Sequence, residues 1–340
     1  MKLKLTLFSL LIAGTVCAQQ SDMKDIAAAN PPNVALGSLK YLASDELKGR
    51  NIERPEINTA AQYIADQFKM AGAKPLKGAT GYFQLFDLKM QTPAQSGKIT
   101  LGPATYKSGV DAAQVNAKDV SVNGPIAYVG KGSKEELAAV DVKGKIVLMD
   151  MGKVDQSNVS KLYRGMGALQ KTLKDNGALA LIEHWDTAPA FWSEMAGYLG
   201  GSKPVEEGQP DLLPAILVNS AKLDDAVIKP GATANIAISG TKTRTLPLKN
   251  VMAYIPGTDA GLREQYLLLS SHYDHLGVTA NPKQEEGKVD SIYNGARDNA
   301  SGTAAIIAAA RYFGKHPAKR SILFIAYTAE EEGLLGACRT

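Results

Sequence analysis

Apolar residues near the start of the chain recur at helical spacing. Two stretches, NVALGSLKYLASDEL and PEINTAAQYIADQFKMAGA, carry apolar positions three and four residues apart, the pattern of amphipathic helices. The second stretch begins with Pro55 and closes at Gly72, residue types that often flank a helix. We therefore predict two helices that each pack one face against a core.

From about Lys107 the pattern changes to short strand-like runs separated by glycine and aspartate. The runs are GPIAYVGKG, VKGKIVLMDMG, GALALIEHW, LPAILVN and ATANIAISG. One helical stretch, VSKLYRGMGALQKTLKDNGA, interrupts them. Short β-rich runs bounded by turn residues are typical of a compact β domain, so residues 107–245 are predicted to form an inserted, strand-rich domain.

Beyond residue 245, strands and a helix alternate. NVMAYIPG and YLLLSSH have the composition of strands, NASGTAAIIAAARYFGKH that of a helix, and SILFIAYT that of another strand. Strand, crossover helix and strand in this order predict an α/β fold with a mostly parallel central sheet flanked by helices. Ligand sites in such folds collect at the carboxyl ends of the strands.

The first residues have the layout of a cleavable secretory signal. A lysine-containing start is followed by an apolar core over residues 5–13 and by small residues up to Ala18. Residues 1–18 are therefore predicted to be a signal peptide, and the protein is expected to be exported to the periplasm or beyond. A lipid anchor at Cys17 is an alternative, although Val16 is bulky for it. No segment is long enough to span a membrane.

Composition excludes several function classes. The chain has 340 residues, of which 45% are hydrophobic and 21% charged, which is ordinary globular material. Two lysines leave with the signal, so the formal net charge of +4 falls to about +2. This charge gives no basis for binding nucleic acid or a membrane surface. Cys338 then remains alone, so no internal disulfide is expected.

The stretch LLLSSHYDHLG places two histidines and an aspartate at a strand end. The apolar strand runs into His272, followed by Asp274 and His275. An imidazole there is suited to bind zinc, and a carboxylate two residues on can hold its other ring nitrogen. A polar turn with a hydrogen-bonded histidine explains this stretch equally simply, and for the stretch alone it is the preferred interpretation.

Two further stretches supply carboxylates. In YNGARDNASGTAAII, Asp298 and Asn299 precede an apolar helix; either could cap the helix, or Asp298 could bridge two metal ions. In SILFIAYTAEEEGLLGA, Glu330 and Glu331 follow a strand. One could bind metal while its neighbour acts as general base, although a solvated acidic turn is the usual fate of a glutamate run.

Taken together, the three stretches favour a metal site. Each adjoins a strand end of one α/β unit, and all offer nitrogen or oxygen ligands without thiols, a set that suits zinc. The chain has no G-x-S-x-G elbow, P-loop or H-E-x-x-H helix. His184, in the predicted insert, and His316, before Pro317, are expected to be structural or exposed.

In this order, SSHYDHLG, NGARDNASG and TAEEEGLLGA resemble the zinc exopeptidase family of secreted bacterial aminopeptidases, glutamate carboxypeptidase and the transferrin receptor. YLASDELKGR, AAQYIADQFKMAGAKPL and YFQLF resemble its N-terminal helices. Residues 107–245 look like the protease-associated domain that many members carry. The resemblance implies a phosphorylase/hydrolase-like catalytic domain over residues 19–106 and 246–340.

The resemblance also implies a site and a reaction. His272 would bind one zinc ion, Asp298 would bridge two, and Glu331 would bind the other. Glu330 would be the general base on the water that the two ions share, and Asp274 would orient His272. The implied activity is that of a secreted di-zinc aminopeptidase that hydrolyses N-terminal residues of peptides.

Family members continue past the glutamate pair and supply a later aspartate and a later histidine as ligands. Here GLLGACRT alone follows the glutamates, so the catalytic domain is expected to lack its C-terminal part. An alternative is therefore a catalytically inactive, exported peptide-binding module or a truncated relic. The residues leave open whether the parent activity is that of an aminopeptidase, a carboxypeptidase or a dipeptidase.

Overall fold

A computed structural model describes Lys24, Ala28 and residues 32–157, 159–205, 208, 211–285 and 287–339. The predicted signal peptide lies outside the described residues. No helix in the described part of the chain is long and apolar enough to cross a membrane. The chain divides into two compact units: Met1–Asp87 with Leu246–Thr340, and Leu88–Thr245.

The elements are labelled in chain order. The α-helices of the described residues are α1 (Pro32–Leu42), α2 (Glu56–Met70), α3 (Lys134–Ala138), α4 (Val159–Asp175), α5 (Pro189–Gly200) and α6 (Ser301–Lys315). The strands are β1 (Phe83–Thr92), β2 (Gly97–Leu101), β3 (Ala104–Lys107), β4 (Ala112–Gln114), β5 (Val120–Tyr128), β6 (Ile146–Lys153), β7 (Ala180–Asp186), β8 (Lys203–Val205), β9 (Ala215–Asn219), β10 (Thr233–Ile238), β11 (Lys242–Ile255), β12 (Tyr266–His272), β13 (Gly277–Glu285), β14 (Lys288–Tyr293) and β15 (Ser321–Tyr327).

The core of the first unit joins its helices to its sheet. Ile64 and Phe68 of α2, Ile307 of α6 and Phe324 of β15 belong to one buried cluster. The rings of Phe68 and Phe324 have centroids 5.7 Å apart. Burying a side chain of this size stabilises a fold by about 1.5–3 kcal/mol, so α2 is anchored by the apolar face that its sequence predicts.

The sheet of the first unit is mixed rather than mostly parallel. Strands β12 and β15 pair in parallel, from Tyr266 with Ser321 to His272 with Tyr327, and α6 forms the crossover between them, as predicted. Strand β11 pairs with β15 in antiparallel orientation. Alternation of strand and helix predicted the parallel pair, but β11 reaches β12 by a short connection without a helix, so the sequence did not reveal its direction.

A two-stranded antiparallel ribbon, β13 with β14, follows β12 and was not predicted. Gly277 pairs with Tyr293 at its base, and the register shifts between Val278 and Lys283. Its sequence, GVTANPKQE and KVDSIY, carries proline and several charges, which are uncommon inside strands. A ribbon of this kind is not buried on two faces, so its hydrophobic signal is weak.

The second unit contains an eight-stranded sheet in the order β3-β2-β10-β5-β6-β7-β9-β4. Its centre is parallel, because β5, β6, β7 and β9 pair in parallel one after another. The strands predicted between residues 107 and 245 and the helix α4 are present, whereas α5 was not predicted. The unit begins at Leu88, earlier than the change of pattern near Lys107, because the β2–β3 hairpin joins its sheet through β10.

Candidate metal and catalytic site

The predicted site residues meet at one edge of the first unit's sheet. His272 ends β12 opposite Tyr327 at the end of β15, so the segments that follow both strands emerge side by side. The first segment supplies Asp274, and the second supplies Glu330 and Glu331. Asp298 approaches from the segment that leads into α6. Parallel pairing of the two strands therefore brings all five predicted residues together.

His272 is nearly buried and faces carboxylates with one ring nitrogen. Its Nε2 lies 3.0 Å from Oδ1 of Asp298 and 3.7 Å from Oε2 of Glu330. Its Nδ1 lies 3.2 Å from the backbone carbonyl oxygen of Asp274. Because a carbonyl oxygen only accepts, Nδ1 carries the proton in this contact, and Nε2 points at the acidic side chains.

Asp274 connects the two strand ends in a way the sequence did not indicate. Its carboxylate Oδ1 is 3.7 Å from Nδ1 of His272, too far for a hydrogen bond, so its carbonyl makes that contact instead. The carboxylate accepts the backbone N–H groups of Glu330 and Glu331, each at 3.3 Å. Asp274 is fully buried. It therefore positions the glutamate turn as well as the histidine.

The glutamates lie on a turn that is held at both ends. Buried Asn250 accepts the N–H of Thr328 at 3.1 Å and donates to the carbonyl of Gly336 at 2.9 Å. A Cβ on Gly336 would lie 2.0 Å from the carbonyl oxygen of Thr328, so this close approach requires glycine. Ala329, inside the turn, has a positive φ of 56°. These contacts of Asn250 and Gly336 fix the backbone position from which the two glutamate side chains extend.

His275 is a cluster member that the sequence analysis did not assign to the site. Its Nδ1 lies 2.5 Å from Oε1 of Glu331. Ligand atoms of His275, Asp298 and Glu331 lie within 4.8 Å of one another, and so do those of His272, Glu330 and Glu331. The signal was available, since His275 follows His272 by three positions in the same turn.

Arg50 is a second residue that the sequence analysis missed. Its side chain is fully buried and its guanidinium donates to backbone carbonyl oxygens on three segments, namely those of Leu42, Tyr273 (2.7 Å), Asn294 (2.7 Å) and Gly295 (3.0 Å). The backbone carbonyl of Arg50 accepts the N–H of His275 at 3.1 Å. The rigid fork of an arginine suits such multiple donation, so Arg50 ties the histidine turn to the segment before Asp298.

The charges in the cluster shift two pKa values. Burial lowers the pKa of His272, but the nearby carboxylate of Asp274, followed by the charges of Glu330 and Asp298, outweighs burial, and the pKa rises to about 9. Burial lowers the pKa of Arg50 to about 10, against the opposing effect of the nearby carboxylates. The side of the cluster that faces His272 is thus strongly electronegative.

The two histidines expected outside the site have other surroundings. His184 is buried in the second unit and has hydrogen-bond partners on both ring nitrogens, Asp150 and Ser220. His316 is exposed and stacks on Tyr312 with ring centroids 4.9 Å apart. Neither belongs to a group of metal-binding side chains among the described residues.

Comparisons with known proteins agree with this picture. Residues 250–339 match the model of peptidase family M28, which confirms the resemblance inferred from the three motifs. A probable zinc metalloprotease of Pyrenophora teres f. teres is 36% identical over 90 residues, which are 26% of this chain and 18% of that protein. Aminopeptidase YwaD of Bacillus subtilis is 27% identical over 222 residues, 65% of this chain and 40% of that protein.

A solved structure supports the fold. The aminopeptidase from Aneurinibacillus sp. strain AM-1 superposes with a TM-score of 0.58 at 21% identity, covering 93% of this chain and 66% of that one. This likeness confirms the predicted α/β fold. The chain spans less than half the length of the two curated relatives named above.

Proposed function

We propose, from the match of residues 250–339 to peptidase family M28, that the cluster around His272 is the active centre of a zinc-dependent exopeptidase. One observation carries the proposal: Nε2 of His272 lies 3.0 Å from a carboxylate oxygen of Asp298 and 3.7 Å from one of Glu330. An imidazole nitrogen and two carboxylates that converge on one point are suited to bind a metal ion and to move a proton beside it.

The chemistry of the cluster fits zinc. The carboxylates of Asp274, Asp298, Glu330 and Glu331 gather around two imidazoles, and the donors of Arg50 are directed at backbone carbonyls. Four carboxylates exceed the positive charge that one arginine and one protonated histidine supply. Like charges brought together at a partly buried site are costly without a cation, and nitrogen and oxygen ligands without thiols suit zinc.

We assign the residues as follows. His272 and Asp298 would hold one ion, and Asp298 and Glu331 would hold a second, so Asp298 would bridge them. Zinc, when bound, polarises the scissile carbonyl and acidifies water. Glu330 accepts a proton from the attacking water and returns it to the leaving amine. Asp274 holds His272 and the glutamate turn in fixed positions relative to each other, so it is a positioning residue.

Substrate, location and domain roles belong to the same proposal. Aminopeptidase activity is favoured because the Bacillus subtilis relative and the Aneurinibacillus structure both carry that name. Peptides with a free N-terminal amine would be the substrates. The signal-like start supports export, and we assign the second unit, residues 88–245, to the protease-associated insert that the family resemblance implied for residues 107–245.

The test is zinc-dependent hydrolysis of leucine p-nitroanilide by the purified protein, together with the Glu330→Gln variant. Removing a general base costs about 10²- to 10⁴-fold in rate. We therefore expect kcat to fall by that amount in Glu330→Gln, while zinc content is retained. Glu332→Gln is the matched control, because Glu332 lies in the same turn and has no role in the proposed reaction.

Two results would overturn the proposal. If Glu330→Gln hydrolyses the substrate as fast as the wild type, Glu330 is not the general base. The zinc-loaded protein is also tested with the N-acetylated form of this substrate and with a carboxypeptidase substrate. If it cleaves none of the three but binds peptides, the alternative of an inactive peptide-binding module is correct. Cleavage of the carboxypeptidase substrate alone would mean that the protein removes residues from the C-terminus of peptides and not from the N-terminus.

A further inference from the structure

We propose that a cavity beside α4 in the second unit binds an aliphatic carboxylate, with the apolar chain inside and the carboxylate at the solvent side. The cavity lies between α4 and the sheet, against the carboxyl-terminal half of β6. Its volume is about 500 Å³. This is within the range of about 300–1,000 Å³ that is usual for small-molecule sites. The inference concerns the second unit alone and does not depend on the proposed zinc chemistry.

The walls of the cavity are apolar and rich in methionine. Met149 and Met151 come from β6, and Leu162, Met166 and Leu169 come from α4. Met149 and Met166 are buried. A methionine side chain is unbranched and polarisable, so it adapts to apolar groups of different shape. This lining is therefore suited to an aliphatic chain rather than to a polar ligand.

The solvent side of the cavity carries positive charge. Lys131, Lys153 and Lys161 line the cavity, and all three are exposed, so they form its mouth. None of these lysines takes part in an ion pair among the residues that the structure describes. Lysine side chains lay their stems on apolar surface and keep the ammonium group in water. An anionic head group at the mouth would therefore meet cations without losing contact with solvent.

Glu183 is the one acid among the described lining residues, and it lies on the floor of the cavity. It pairs with Met149 across β7 and β6 and is 4% exposed. Its Oε2 accepts the Nε1–H of Trp185 at 3.1 Å. Burial raises the pKa of Glu183, which favours its neutral form. The floor therefore opposes an anion less than an ionised carboxylate would, and the lysines at the mouth determine the preferred charge.

The experiment is isothermal titration calorimetry of the full chain in EDTA with octanoate, hexanoate and octylammonium. We expect octanoate to bind to one site. Each buried methylene contributes about fourfold in affinity, so hexanoate should bind about tenfold more weakly. Octylammonium has the same chain with the opposite charge and should bind at least about tenfold more weakly than octanoate. Equal affinity for octanoate and octylammonium would overturn the inference.

Two glycines of α4 provide a matched pair of variants that test the location. An added Cβ at Gly165, which lines the cavity, meets no heavy atom within 4 Å, and the same holds at Gly167, which is not among the described lining residues. A leucine at Gly165 fills open space in the cavity, so octanoate affinity should fall at least about tenfold. Gly167→Leu should bind like the wild type. Both variants replace a glycine inside a helix, so both should fold.

A lysine variant tests the mouth. Lys161→Gln should weaken octanoate binding about fivefold, the most that one exposed ion pair contributes. Lys171→Gln is the control, because Lys171 lies on the same helix and pairs with Asp175. It should bind octanoate like the wild type. Equal losses in the two variants would mean that the lysines act through net charge and not at a site, and the inference would be overturned.

A free aliphatic acid and a peptide that ends in leucine offer the same chemistry. The tripeptide Gly-Gly-Leu and its C-terminal amide, titrated beside octanoate, distinguish these two sources. Tighter binding of the peptide acid identifies peptide ends as the ligand, and tighter binding of octanoate identifies free aliphatic acids. If neither binds, or if Gly165→Leu binds octanoate like the wild type, the inference is overturned, and the proposed zinc-dependent hydrolysis is unaffected.

Discussion

Two buried histidine clusters, one in each unit, differ in what surrounds the imidazole. In the second unit, Nδ1 of His184 lies 2.9 Å from Oδ1 of Asp150, and Nε2 lies 2.9 Å from Oγ and 3.0 Å from the carbonyl of Ser220. One histidine therefore meets one carboxylate, and its remaining partners are neutral. Both ring nitrogens have hydrogen-bond partners, so the cluster is complete without a ligand.

In the first unit, carboxylates outnumber the positively charged partners of the cluster. His272 has one nitrogen on a backbone carbonyl and the other directed at Asp298 and Glu330, and a second imidazole faces Glu331. Both clusters lie at the carboxyl ends of strands, so that position alone does not identify a metal site. The surplus of carboxylates over positive partners distinguishes them, because such a surplus calls for a cation.

The sharpest test of this comparison removes one carboxylate from each cluster. In Asp298→Asn, we expect zinc affinity to fall on the order of a thousandfold, beyond the roughly 10- to 100-fold that loss of an outer-shell partner costs. Such a loss equals about 4 kcal/mol. Asp150→Asn is the matched control and should bind zinc like the wild type. Equal losses in the two variants would show that the surplus of carboxylates does not define the site.

The next largest effect concerns Arg50, which supports the His272 cluster. Arg50→Ala would leave two buried and two partly buried carbonyl groups without this donor, at about 1–3 kcal/mol for each buried one, so we expect the free energy of unfolding to fall by at least about 3 kcal/mol. Arg54→Ala is the control, since Arg54 makes a partly exposed ion pair with Glu56 (side chains 42% and 22% exposed), worth at most about 1 kcal/mol. Urea denaturation measures both. A loss in Arg50→Ala no larger than in Arg54→Ala would contradict the role of Arg50.

That these side chains meet at one edge of the sheet was predictable, because they adjoin periodic elements. His272, Asp298 and Glu331 come directly after or before strongly patterned strands and a helix, and parallel pairing of β12 with β15 brings them to one edge. The sequence also indicated that zinc suits the donor set. Patterns of this kind report which residues share an edge of a sheet, since that follows from chain direction and strand order.

What the sequence did not reveal depends on contacts between distant segments. Arg50 lies in a polar stretch of the sequence. Its side chain is buried because its guanidinium donates hydrogen bonds to four backbone carbonyls from other segments of the folded chain. The role of Asp274 in holding the glutamate turn likewise depends on strand ends that are 56 positions apart in the chain. The antiparallel direction of β11 was missed because no periodic signal encodes orientation.

The third prediction concerns the complete cluster of the second unit. In His184→Gln, hydrogen bonds of a buried side chain with Asp150 and Ser220 are lost or weakened, so we expect the free energy of unfolding to fall by about 2 kcal/mol. Zinc affinity should not change. Thermal unfolding and a zinc titration of the same sample check both parts. A tenfold loss of zinc binding would mean that His184 also serves the metal site, and the contrast between the clusters would be wrong.

The smallest expected effect is a pH dependence of stability in the metal-free protein. The folded-state pKa of His272, about 9, lies above its ordinary value of 6.5. Its protonated form therefore stabilises the folded chain fully below about pH 6.5, and this contribution is lost as pH rises through about 9. Because the facing carboxylates of Asp298 and Glu330 are 64% and 34% exposed, water and salt screen their charges, and we expect the loss to be on the order of 1 kcal/mol.

Urea denaturation in EDTA at pH 6.5 and pH 9.5 measures this loss, and comparison with His272→Gln isolates it from other titrating groups. The wild type should lose more stability between the two pH values than His272→Gln, whereas His184→Gln should follow the wild type. The protonated imidazole acts here as a substitute for the cation among Asp274, Asp298 and Glu330. If wild type and His272→Gln lose the same amount, those carboxylates do not hold the negative charge on which the proposed metal site depends.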